Sequence, residues 1–234
     1  MVPADLAWLA YDHTAEEEIL MDRGNLLLVH GAWHGAWCWD RLVPELEARG
    51  WATSVVDLPG IGMYDDARAV REALVDLDGP VTVLAHSYAG VPVAEVAATV
   101  HSVTGLVYLA AHMLEPGESV VSALGGPWYP EGTELLDVPE PARDLLFADL
   151  PDELAAWAVE RLRPQNAAVF EQEQTEAAWR KLPTAAILCE DDRIFPAMFT
   201  ERAARAEVVR YLPGGHSPFL SRPRELAELI CELA

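Results

Sequence analysis

Six short apolar runs recur along the chain, at residues 26–30, 52–57, 81–85, 103–111, 185–189 and 208–212. Most are continuous rather than alternating, the pattern of parallel strands covered on both faces. Segments of helical periodicity lie between them. Residues 38–49 end at Gly50, which reads as a C-cap; 67–76 precede the break Asp78-Gly79-Pro80; 87–100 are rich in alanine and valine. Strand and helix in alternation predict a doubly wound, mostly parallel sheet.

The alternation breaks once. Between residues 114 and 183 no convincing strand is legible, and Glu115-Pro116-Gly117 and Gly125-Gly126-Pro127 punctuate helical stretches such as 151–162. An insertion of that length is too long for an ordinary connection and predicts a helical cap over the C-terminal ends of the strands. The expected division is therefore a core at 23–113 and 184–234, a cap at 114–183, and an acidic extension or extra edge element at 1–22. No internal repeat or flexible linker separates two domains.

Composition narrows the partners. Of 234 residues 51% are apolar, enough to bury a sizeable core, while 16 basic and 38 acidic side chains leave a formal charge of −22. Such a surface repels phosphate backbones and anionic head groups, so nucleic acid and membrane surfaces are excluded as main partners. Cys38, Cys189 and Cys231 fit no zinc, redox or disulfide spacing, which points to a reducing compartment. No apolar run approaches the ~20 residues of a membrane span. Asp5, Asp12 and the acidic run Glu16, Glu17 and Glu18 replace the basic start of a signal peptide. A soluble cytoplasmic protein is expected, with a homodimer left open.

The sharpest chemical signal is Val81-Thr82-Val83-Leu84-Ala85-His86-Ser87-Tyr88-Ala89-Gly90. A buried strand runs into a serine flanked by small residues and then into a helix, the small-x-Ser-x-small form of a nucleophile elbow. Small neighbours are needed because strand and helix cross closely at a strained turn. Ala85 and Ala89 stand where glycines are usual, and slight crowding of the oxyanion site is expected.

A serine hydroxyl needs a base, and the base an orienting acid. Asp192 follows the run at 185–189 and His216 the run at 208–212, after Gly214-Gly215, so both fall on loops at strand C-terminal ends. Taken singly, Asp192 also reads as a turn or capping aspartate and His216 as a surface-loop histidine. A third feature is Leu27-Leu28-Val29-His30-Gly31-Ala32-Trp33-His34-Gly35-Ala36-Trp37, in which a strand ends in His-Gly before a helix. The Ala32 N–H, with that of Tyr88, is the expected oxyanion donor; the His30 and His34 side chains read as core histidines tying down the loop.

Together these residues resemble the α/β-hydrolases. More narrowly they resemble the group of plant methylesterases, salicylate-binding esterases, hydroxynitrile lyases and their bacterial esterase relatives. The marks are residues 30–39, Asp57-Leu58-Pro59-Gly60, His86-Ser87-Tyr88, Leu162-Arg163-Pro164-Gln165 and the contexts of Asp192 and His216, with similarity from about Gly24 to the C-terminus. The resemblance implies an α/β-hydrolase fold with the cap inserted after the sixth family strand, and Ser87, Asp192 and His216 as triad. Lyases of the group carry a threonine after the first histidine of the oxyanion loop and a lysine after the catalytic histidine. Gly31 and Ser217 stand there, so ester hydrolysis is preferred. Asp192 stands four residues before Pro196, as in the family's Asp-x-x-x-Pro, which places it ahead of Asp191 and of Glu115; Asp57 reads as a turn-former.

The expected reaction is attack of Ser87 on an ester or lactone carbonyl, with an acyl-enzyme cleared by water and no metal or organic cofactor. Expected substrate contacts are Gly31, His112, Trp128, Tyr129, Phe147 and Trp157, with Leu146 and Leu154 nearby in the cap. His112 stands where relatives have an aromatic or apolar residue. Cap aromatics suit a small apolar or aromatic substrate, although cap packing explains each one as well. Two other readings use the same residues: carbon–carbon lyase or cyclase chemistry without an acyl-enzyme, and a small-molecule receptor with little turnover.

Overall fold

The structure, a computed structural model, describes residues 23–195 and 198–234, and of 198–200 only the backbone. The extension expected at 1–22 and Pro196 lie outside the described residues. Eight strands are described: β1 (Asn25–Val29), β2 (Ala52–Val56), β3 (Val81–His86), β4 (Val103–Leu109), β5 (Leu135–Leu136), β6 (Gln165–Asn166), β7 (Thr184–Cys189) and β8 (Val208–Leu212). Six form one parallel sheet in the order β2-β1-β3-β4-β7-β8.

Alternation within β1 explains its unbroken apolar run. Leu27 and Val29 enter one buried cluster, Leu26 and Leu28 the other, because successive side chains face opposite sides of a sheet covered twice. The cluster on the second face is built on Trp39, Phe147 and Phe219, all fully buried, each burial stabilising by ~1.5–3 kcal/mol. The edge strand β8 instead exposes Arg210 and Tyr211.

The helices depart from the periodicity where proline or backbone geometry intervenes. The expected helix at 38–49 is divided into a 3₁₀ turn, Ala36–Trp39, and a short helix, Val43–Glu47. Pro44 lacks the N–H that a continuous helix would use and is accommodated only in a first turn. The stretch at 87–100 likewise becomes Ser87–Ala89 (3₁₀), Gly90–Val96 (α) and Ala97–Thr99 (3₁₀). The helix expected at 67–76 begins earlier, as Met63–Val75, with Asp65 and Asp66 in its first turn, where acidic groups favour the dipole.

Between β4 and β7 the chain forms the short helices Val120–Ala123, Ala142–Leu146, Asp152–Val159 and Ala168–Glu171. The expectation of no strand here is corrected: β5 and β6 pair antiparallel, Leu135 with Asn166 and Leu136 with Gln165. Two residues per strand are too few to leave an alternating signature. Leu136, Val169 and Phe170 pack into one core cluster and Leu146, Phe147 and Leu150 into the other, so the insertion is anchored on both faces of the sheet. Among the described residues no helix is long and apolar enough to cross a membrane.

Candidate active site

The chain leaves β1 to build β2 on one side and returns to β3 on the other, so a crevice opens between the C-terminal ends of β1 and β3. Ser87 follows β3 there with φ of 55°, a left-handed backbone rare for a residue with a Cβ. The turn is held by neighbours: the His112 N–H donates to the Ser87 carbonyl at 3.0 Å. Two glycines make close approaches at this turn. A Cβ on Gly90 would lie 2.2 Å from the His112 carbonyl oxygen, and one on Gly31 would lie 2.7 Å from Ser87 Cβ. Ala85 and Ala89 sit buried in the core, and the expected crowding is taken up by Gly31 and Gly90 instead.

Three side chains far apart in sequence meet at this point. His216 Nε2 lies 3.0 Å from Ser87 Oγ, and His216 Nδ1 lies 2.8 Å from Asp192 Oδ2. Asp192 Oδ1 accepts the N–H groups of Ile194 and Phe195 at 2.8 and 3.0 Å. Burial acts to raise the Asp192 carboxyl, but the His216 ring and the two amides outweigh it and hold it below its ordinary value. An ionised Asp192 accepts the Nδ1–H, which leaves Nε2 free to accept the serine proton. Asp191 serves the loop rather than the ring. Its carboxylate accepts the Gly214 N–H, and its own N–H donates to the Gly214 carbonyl. From the cap, Asp149 Oδ2 accepts the Gly215 N–H at 3.1 Å. Glu115 pairs with Arg180 and Arg205, and Asp57 accepts the Ala36 N–H and the Arg163 guanidinium; neither is bonded to the His216 ring.

The Ala32 and Tyr88 N–H groups have no hydrogen-bond partner among the described residues. His30 donates Nδ1–H to the Gly31 carbonyl at 2.8 Å, because its Nε2 accepts the Leu58 N–H at 2.9 Å. His34 Nδ1–H donates to the Ala32 carbonyl at 2.8 Å. Both histidines tie down the loop from within. The Tyr88 ring is locked by a 2.7 Å bond from its hydroxyl to buried Asp66.

A cavity of about 190 Å³ opens above Ser87. Its walls are Trp33, Val120, Leu124, Trp128, Phe170 and Phe195, closed by Ala32, Tyr88, His112, Pro139 and Ile194. Of the expected substrate contacts, Trp128 and His112 line it. Phe147 does not: it is fully buried in the second core cluster, 5.7 Å from the His34 ring. Trp157 packs edge-on against Trp37 at 5.3 Å beneath the Arg161 guanidinium. Leu146 and Leu154 belong to the same cluster as Phe147. Tyr129 backs Trp128 at 5.1 Å and donates its hydroxyl to Glu171. Gly31 lies against Ser87 rather than on the cavity wall. Phe170, Trp33 and Val120 were indistinguishable in sequence from residues that fill the core. Burial pushes the His112 imidazole down to about 3, so it is neutral. A second hollow, of about 240 Å³, lies at the opposite ends of the strands around Thr82, Thr104 and Glu207. Among the described residues no group of three or more His, Cys, Asp or Glu side chains is placed to hold a metal ion.

Comparison with known proteins bears on this geometry. The chain is 27% identical over 245 residues to the pyrethroid hydrolase of Sphingobium wenxiniae, covering 90% of this chain and 87% of that one. It is 28% identical over 240 residues to the pFDCC methylesterase MES16 of Arabidopsis thaliana, covering 86% and 91%. The crystal structure of MES16 superposes with a TM-score of 0.75 over 89% of this chain and 97% of that one, at 27% identity. The crystal structure of the pyrethroid hydrolase PytH gives 0.74 over 89% and 96%, at 25% identity. Residues 26–229 match the family model described as the alpha/beta hydrolase family. A six-stranded parallel sheet with a serine on the elbow after β3, and a match spanning most of the chain, place this protein in the alpha/beta hydrolase family.

Proposed function

We propose that this protein is a serine carboxylic ester hydrolase acting on small apolar or aromatic esters or lactones. The observation that carries the reading is the unbroken relay Ser87–His216–Asp192, at 3.0 and 2.8 Å. In it Ser87 Oγ attacks the carbonyl carbon while His216 Nε2 takes the hydroxyl proton, and Asp192 stabilises the imidazolium. The N–H groups of Ala32 and Tyr88 receive the oxyanion. His216 returns the proton to the departing alcohol, and water, activated by the same imidazole, hydrolyses the acyl-Ser87 ester. Hydrolytic and esterase activities in the names of the relatives support the same class.

Cavity size limits the substrate. An apolar cavity of about 150 Å³ accepts benzene, whereas drug-sized ligands need about 300 Å³ or more. At about 190 Å³ this one holds a single ring or a short branched chain. Against lyase chemistry, the residue after the base is Ser217, buried and uncharged, which offers no cation to a cyanide leaving group. The test is a panel of p-nitrophenyl acetate, methyl and aryl benzoates, naphthoates and small lactones, with Ser87→Ala as control. Turnover with single-ring esters, lost in Ser87→Ala, together with an acyl-Ser87 adduct by mass spectrometry, is the expected result. Tight binding without hydrolysis across the panel would support the receptor reading instead.

A further inference from the structure

Besides ring contacts, the cap reaches the oxyanion loop through a side-chain hydrogen bond. Gln165 stands in β6, paired with Leu136 of β5, and is buried. Its Oε1 accepts the Trp33 N–H at 2.9 Å. Two residues earlier, the Arg163 N–H donates to the Trp33 carbonyl at 2.9 Å. The Arg163 guanidinium is itself anchored on Asp57 Oδ1 and the Leu58 carbonyl, both at 2.8 Å. Both main-chain polar groups of Trp33 are thus satisfied by the cap.

That residue is where the loop stores strain. Trp33 has φ of 61°, a conformation that costs a bulky residue on the order of 1–3 kcal/mol and persists only when its surroundings over-determine it. The turn it makes lets His34 reach back to the Ala32 carbonyl at 2.8 Å. If Trp33 relaxed, that bond would open and the peptide between Ala32 and Trp33 would turn, leaving the Ala32 N–H on the preceding peptide held from one side only, by His30 on the Gly31 carbonyl. Gln165 also engages the Trp33 N–H, so the loop presents Ala32 and not its neighbour.

We propose that Gln165 is a positioning residue for the oxyanion hole, fixing the Trp33 turn from the cap so that the Ala32 N–H meets the developing charge. This rests on the assignment of Ala32 and Ser87 made above. Gln165 does not line the substrate cavity, so its removal should damage the transition state and spare ground-state binding.

The test compares Gln165→Met, which keeps the volume and loses the acceptor, with Gln165→Glu, which keeps an acceptor oxygen. Rates are expressed per serine titrated by a fluorophosphonate, so that misfolded molecules do not count. The expected result for Gln165→Met is a kcat lower by about 10- to 100-fold with KM within about two-fold. Inhibition by phenylboronic acid, whose serine adduct is tetrahedral, should weaken by the same factor, and Gln165→Glu should recover most of the kcat. If Gln165→Met fails to fold, Gln165→Ala is measured in the same way. Wild-type kcat in the variant, a rise confined to KM, or loss without recovery in Gln165→Glu would each overturn the inference while leaving the esterase reading intact. A wild-type enzyme inactive on every ester would remove both.

Discussion

The ring of His86 donates its Nε2–H to the main-chain carbonyl of His216 at 3.0 Å. The residue before Ser87 therefore holds the backbone of His216. Burial, then the neighbouring His216 and His34 rings, push the His86 imidazole well below its ordinary value, so it remains neutral. A neutral ring facing a carbonyl through Nε2 must carry its proton there. His86→Phe keeps the ring packing against Trp39 and Phe219 but leaves a buried carbonyl unpaired. Urea unfolding should show a loss of about 1–3 kcal/mol, and kcat should fall about ten-fold or more as the His216 ring loses its register. Unchanged kcat would show that the His216 loop holds itself.

Gly31 and Gly90 should separate activity from stability. A methyl at Gly90 meets main chain of His112 at 2.2 Å, which nothing flexible can yield to. Gly90→Ala should destabilise by about 1–3 kcal/mol or more. At Gly31 the collision is with Ser87 Cβ at 2.7 Å and His86 Nδ1 at 2.8 Å. Gly31→Ala should displace Ser87, with a kcat loss on the order of 10²-fold in folded protein. Paired denaturation and kinetic measurements check both.

Acid should unfold the protein through its buried imidazoles. Burial pushes His34 and His112 down to about 3, and His86 well down as well. Unfolded, each takes up a proton below about pH 6.5; folded, it does not. The unfolded state then binds more protons, so stability falls as pH drops from about 6.5 toward 3, by up to about 1.4 kcal/mol per unit for each ring. Asp66 offsets part of this, because burial raises its carboxyl and it gains a proton earlier when folded. Asp192, held low, adds to the loss only below the ordinary carboxylate range. Urea unfolding between about pH 6.5 and 4.5 should show the decline, and His112→Gln should reduce its slope by about one proton. A flat profile would contradict it.

Two tryptophans of the cap should behave differently. Trp128 lines the cavity and is 50% exposed, whereas Trp157 packs on Trp37 away from it. Trp128→Ala should raise KM for a single-ring ester by about ten-fold, the loss of roughly 1.4 kcal/mol of apolar contact. Trp157→Ala should lower stability and leave KM unchanged. Steady-state kinetics with thermal unfolding distinguishes them.

Much of the site was legible because its parts are local. Continuous apolar runs followed by Ser87, Asp192 and His216 mark strand ends, and small residues around Ser87 mark a strained turn whose sterics involve adjacent positions. What tertiary structure alone decided is of another kind. The hydrophobic effect has no direction, so an aromatic such as Phe147 reads equally as a substrate contact or as cap packing, and only packing put Phe147 in the core and turned Phe170 to the cavity wall. Hydrogen bonds are directional, but Gln165 reaches Trp33 across 132 residues and His86 reaches His216 across 130. No local pattern announces such a partner; the fold has to bring the two atoms within about 3 Å before either side chain acquires its role.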